Sequence, residues 1–126
     1  MVSTTCWKGK ITLVIEEKSF RFALGIIKLT QKLRAQREYV FADQLLRSAT
    51  SIGANVAEAG AGQSKKDFIA KMAVASKEAR ETRYWLRLLK EGKVINETLV
   101  NHLKEIEEII KILTKIVKTS QLNSKR

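Results

Sequence analysis

Proline is absent from this chain, cysteine and histidine occur once each, and glycine only six times in 126 residues. Each scarcity excludes something. An all-β chain needs many turns and normally uses more glycine and proline, so the composition favours helices with few connections. Cys6, alone, can form no internal disulfide and no multi-cysteine metal centre. With His102 as the sole histidine, most zinc sites and any histidine-based di-metal site within one chain are excluded. No apolar run nears the roughly 20 residues of a membrane span. The stretch ITLVI (11–15) is too short and too poorly flanked for the apolar part of a secretory signal. The expectation is a cytoplasmic protein with no membrane partner. Acid is also scarce: 13 Asp and Glu stand against 24 Lys and Arg, a formal net charge of +11. Such an excess points to a polyanionic partner, nucleic acid first. The length suits one domain with one core.

Apolar periodicity predicts four helices. Residues 1–14 show no helical period and are expected to form a flexible arm, or a short strand at Ile11–Ile15. The first helix is expected from Glu16, with Phe22, Ile26, Leu29 and Leu33 on one stripe and Phe20, Ala23, Leu24 and Ile27 widening it. Gly25 in that run suggests close approach by another backbone. A second helix from about Tyr39 carries Phe41, Leu45, Ala49, Ile52 and Val56. A third, after Ser64, carries Phe68, Met72, Ala75, Ala79, Thr82, Leu86 and Leu89 at alternating spacings of about four and three, a bundle seam. Gly92 is expected in the left-handed conformation that ends a helix. Asn96 then caps a fourth helix, with Leu99, Leu103, Ile106, Ile110, Leu113 and Val117 as its seam. Residues 120–126 read as a frayed tail. The fold class is all-α: an antiparallel up-down-up-down bundle over residues 15–119. Ile109, Ile112 and Ile116 add a second apolar stripe to the fourth helix, read with Trp85 as an oligomer interface.

GAGQSKKDF (60–68) holds the residue types of a phosphate cradle. A P-loop, however, needs G-x-x-x-x-G-K-[ST] after a buried strand. Here the order is Gly60, Gly62, Ser64, Lys65, and the preceding residues are helical. Ser64 with Asp67 instead matches a capping box, so the stretch reads as a turn. A helix N-terminus beside Lys65 and Lys66 can still attract a backbone phosphate.

Candidate chemistry is sparse. Glu78 and Glu81 lie on neighbouring positions of the third helix, but a di-iron bundle needs Glu-x-x-His on two helices and neither is present. With Glu58 and Arg47 they read as a structural network, as do Ser51 and Asn55 beside Ser48. No Ser–His or Cys–His pair suggests a nucleophile and base. No enzyme activity, metal or cofactor is expected. KEIEEIIK (104–111) reads as a solvated face, and His102 as a flank residue. Lys77, Arg80, Arg83, Arg87 and Lys90 recur at three, three, four and three along the third helix, beside Tyr84 and Trp85. With Lys65 and Lys66 in support, they are the candidate nucleic-acid contacts, acting on phosphates. A solvated charged face is the competing reading.

The segment LLRSATSIGANVAEAGAGQSKKDFIAKMAVASKEARETRYWLRLL (45–89) resembles a bacterial four-helix bundle family encoded in intervening sequences of the 23S ribosomal RNA gene. The matching positions include Arg47, Ser51, Asn55, Glu58, Ser64, Lys65, Lys66, Glu78, Glu81 and Trp85, and the likeness extends from Ile15 to Lys118. The resemblance implies a barrel-like homopentamer with no enzyme activity and no known cofactor. A more distant likeness, in RYWLRLL (83–89), is to the accessory variability determinant of diversity-generating retroelements, a basic pentamer that binds nucleic acid and its reverse transcriptase. The expected function is nucleic-acid binding through phosphates; the competing one is a protein-interaction scaffold, for example an accessory subunit of a reverse transcriptase.

Overall fold

The structure, a computed structural model, describes residues 9–62 and 64–124. Expectations for residues 1–8, Trp7 included, and for 125–126 lie outside the described residues. Four α-helices make up the fold, with no strand among the described residues: α1 (Gly9–Ala35), α2 (Tyr39–Gly60), α3 (Lys65–Glu91) and α4 (Val100–Ser124). Contacts join α1 to α2, α2 to α3, α3 to α4 and α4 to α1, while among the described residues the backbones of α1 and α3 do not come close, nor do those of α2 and α4. The helices therefore surround one core, with α1 and α3 on opposite corners.

The core follows the predicted seams. Every α3 seam residue from Phe68 to Leu89 is buried, as are Phe22, Ile26, Leu29 and Leu33 of α1 and Leu45, Ala49, Ile52 and Val56 of α2. Phe41 is half-buried against this core. Burying a large aliphatic or aromatic side chain contributes roughly 1.5–3 kcal/mol, so these residues dominate the fold's stability. The buried hydroxyls of Ser19, Thr30, Ser48 and Thr82 donate to carbonyls of their own helices, while buried Thr12 Oγ1 has no partner among the described residues. Thr82 Oγ1 lies 2.9 Å from Ser48 Oγ across the α2–α3 seam and 2.8 Å from the Glu78 carbonyl.

Helix boundaries depart from the sequence reading in three places. First, α1 begins at Gly9, so residues 9–14 are neither arm nor strand. Buried Thr12 and Ile15 extend the seam of Ser19 and Phe22 by about two further turns, and that burial outweighs the poor helix propensity of β-branched residues. Second, α4 starts at Val100, four residues after Asn96. Ile95 and Leu99 are buried, so the connector is pinned against the core before the helix can begin. Third, α4 continues to Ser124, with Ser120 buried, where a frayed tail was expected.

The corners have clear causes. Ser64 Oγ accepts from the Asp67 amide at 3.1 Å, as the capping box predicts. The ends of α1 and α3 share a different device. Glu38 N–H donates to the Leu33 carbonyl and Arg37 N–H to that of Arg34; Val94 donates to Leu89 and Lys93 to Lys90. These are Schellman motifs. Their left-handed residues are Arg37 (φ 63°) and Lys93 (φ 52°), not Gly92. Gly92 has an ordinary φ of −79°. Its lack of a side chain matters for space, since a Cβ there would lie 2.7 Å from the Leu88 carbonyl oxygen. Gly25 is not needed for close approach: a Cβ there would meet only His102, at 4.0 Å.

Candidate nucleic-acid interface

The polar network expected between α2 and α3 is present in part. Arg47 pairs with both Glu78, at 3.3 Å, and Glu81. Glu81 also accepts from Trp85 Nε1 at 3.1 Å. The Trp85 hydrogen bond, with the Arg47 contact second, holds the Glu81 carboxyl below its ordinary value. Glu81 in turn keeps the Arg47 guanidinium above its own. Glu58 stands apart, paired with Lys71 at 2.9 Å. Ser51 and Asn55 bond only within α2 so far as their side-chain donors go, to the carbonyls of Arg47 and Ser51. No group of three or more histidine, cysteine or acidic side chains among the described residues could hold a metal ion.

Trp85 is half-buried within one chain, edge-on to Phe41 at 6.2 Å and to Tyr84 at 5.5 Å. Its ring packs at the α2–α3 junction, beside Phe41 of α2. Ile109 and Ile116 are buried in the chain's own core, and Ile112 is packed half-buried against it. Ile109 and Ile116 are thus used within the chain itself: α4 packs against both α1 and α3 and needs a wide apolar face to do so. The exposed apolar stripe belongs to α1 instead, where Phe20 is 60% exposed and Leu24 48%.

The predicted basic stripe on α3 slants toward α4 and divides into two groups. Arg83 is bound to Glu107 of α4 at 2.7 Å and Arg87 to Glu91 at 3.1 Å, so their charges are largely spent. Lys77, Arg80 and Lys90 are exposed and form no ion pair among the described residues. Lys65 and Lys66 sit at the other end of α3, about 37 Å from Lys90 along the axis, so the predicted set is not one site.

Arg80 instead joins a second set. Its guanidinium donates to Thr114 Oγ1 on α4 at 3.2 Å. Beside Thr114 lies a shallow concavity of about 450 Å³ whose walls include Lys111, Lys115 and Lys118, and Lys118 also lines the α3–α4 groove with Arg80. All three lysines are exposed, and none forms an ion pair among the described residues. The α4 dipole does not explain them, because its effect falls off within the last turn and the helix runs on to Ser124. Four cations with hydroxyls of Thr114 and Thr119 between them can grip consecutive phosphates. The sequence carried a signal for this set: residues 109–126 contain five cations and no acid.

Fold and surface together define a basic, all-helical bundle protein. The chain belongs to the 23S rRNA-intervening sequence protein family, which it matches over residues 12–115. It is similar to a solved structure from Bacteroides thetaiotaomicron, a protein of unknown function from the S23 ribosomal protein family, at 44% identity with a TM-score of 0.81. That alignment covers 86% of this chain and 98% of the other. Among curated proteins none matches. No helix among the described residues is long and apolar enough to cross a membrane.

Proposed function

We propose that this chain is an up-down-up-down bundle that assembles as a homopentamer in the cytoplasm and binds structured RNA or DNA through phosphates, with no catalytic role. The carrying observation is the cluster of Arg80, Lys111, Lys115 and Lys118, exposed and unpaired by acids on one shoulder of α3 and α4. A net charge of +11, multiplied by assembly, adds long-range attraction for a polyanion. Antiparallel packing is supported by the cross-helix contacts. Arg34 meets Asp43 beside the first corner, while Glu16 lies against Gly60 at the far ends of α1 and α2. Arg47 meets Glu81 and Glu58 meets Lys71, so positions ascend along α2 as their partners descend along α3.

The experiment is gentle purification of the native protein without nuclease, followed by sequencing of bound nucleic acid and mass spectrometry of bound proteins. The proposal expects RNA or DNA fragments that dissociate in high salt. A nucleic-acid-free protein holding a protein partner through nuclease treatment would contradict it and support an accessory-subunit role.

A further inference from the structure

Four large apolar side chains, Leu13, Phe20, Leu24 and Ile27, project from α1 while the seam one face away is buried. Phe20, Leu24 and Ile27 recur at four and three, so they form a continuous ridge on one side of the helix. Beside them α2 contributes Gly53, Ala54 and Ala57, too small to cover the ridge. The result is an open groove of about 690 Å³ with an apolar wall and a shallow floor. Small residues on such a floor let another helix approach closely, and apolar anchors at this spacing receive a helix face. The charged residues lining the groove are Glu16 and Glu17. Glu17 is bound to Arg21, which leaves Glu16 as the acid the lining presents, on a chain that is otherwise strongly basic.

An occupant must therefore present apolar side chains on a helix, flanked by cations. The outer face of α3 does so. Val74 and Tyr84 are exposed there, with exposed Ala70 between the two in helical angle and Lys66 and Lys77 alongside. This face points away from the core, opposite the buried seam of α3, on the corner diagonal to α1, whose backbone does not come close to that of α3. A groove on one side of the bundle and a complementary ridge on the other make a heterologous contact, which repeats from copy to copy and closes into a ring when the rotation allows.

We infer that the α1–α2 groove receives the outer face of α3 from a second copy of this chain, with Val74 and Tyr84 set against Phe20, Leu24 and Ile27 and Lys77 facing Glu16. This deepens the assembly reading above and rests on it. It also leaves the lysines of α4 outside the contact, so assembly and phosphate binding use different surfaces.

Site-directed cross-linking tests the contact. In a Cys6→Ser background, Leu24→Cys and Tyr84→Cys chains are co-expressed or expressed alone and treated with a short bismaleimide. Light scattering reports mass and circular dichroism reports helix content. The inference expects a cross-linked dimer from the co-expressed pair, none from either variant alone, and a ladder of multiples when both substitutions share one chain. Cross-linking of Leu24→Cys alone would mean an isologous contact and overturn the inference. So would an oligomer by light scattering in which the pair fails to cross-link, which leaves assembly intact on another surface. A monomer would overturn the assembly reading and the inference with it.

Discussion

Replacing Glu81 by Gln keeps the shape of the α2–α3 junction and removes one charge from it. In the folded protein that carboxylate accepts from Trp85 Nε1 and is paired with Arg47. A charged hydrogen bond contributes about 1.5–3 kcal/mol when buried, and an exposed ion pair about 0.2–1 kcal/mol. Glu81 is 34% and Arg47 47% exposed at the side chain, so solvent screening discounts both figures. The glutamine can still accept from Trp85, so the expected loss at pH 7 is about 1 kcal/mol, or roughly 4 °C in Tm for a chain of this size. The pH dependence separates charge from packing. Because Glu81 titrates below its ordinary value in the fold, its contribution is fully present above the unfolded value near 4.5. It is lost as pH falls through the lowered folded value. Urea unfolding of wild type and Glu81→Gln in a Trp7→Phe background, read by Trp85 fluorescence at fixed protein concentration, measures this directly. The two should differ at pH 7 and converge at the acid end of the titration, below the lowered folded value. An equal deficit at both ends would refute the electrostatic reasoning, as would no deficit at pH 7.

Three further outcomes follow from the corners and from the half-buried histidine. Lys93→Gly should raise stability by about 0.5–1 kcal/mol, because a non-glycine residue in the left-handed region is strained. Gly92→Ala should lower it by more than about 1 kcal/mol, since its Cβ must displace the Leu88 carbonyl; thermal unfolding of the pair checks both signs. His102 is held below its ordinary value chiefly by burial, partly opposed by Glu105 and Glu97. Its folded value is depressed, so the neutral form's advantage exists above about pH 6.5 and is lost as pH falls through the folded value. His102→Gln should therefore flatten the stability profile between pH 7 and 5 in urea titrations; an unchanged slope would contradict this.

The core was legible in the sequence because burial imposes a period. The α3 seam from Phe68 to Leu89 was readable residue by residue, and Ser64 was readable as a cap because its partner lies three positions away. What depended on distant neighbours was not. Ile109 and Ile116 looked surplus because nothing local shows that α4 must cover two helices. Phe20 and Leu24 looked like core because nothing local shows that Gly53, Ala54 and Ala57 are too small to bury them. Arg83 reads as a phosphate contact in the sequence because its acid, Glu107, lies in the next helix. The start of α1 was missed because β-branched residues disguised a seam that continues through Thr12 and Ile15. The lysines of α4 are masked in the sequence by the alternating charges of 104–111 just before them. Beyond Glu108 the acids run out altogether.

Phosphate binding by the α3–α4 shoulder is tested most directly by anisotropy titration of a labelled structured fragment of 23S ribosomal RNA across a salt series. Wild type is compared with Lys111→Ala/Lys115→Ala/Lys118→Ala. Wild type should bind with log K falling linearly in log salt. The triple variant should bind more weakly, its slope shallower by about one for each lysine that meets a phosphate. No binding by wild type at low salt, or an unchanged affinity and slope in the variant, would contradict the account.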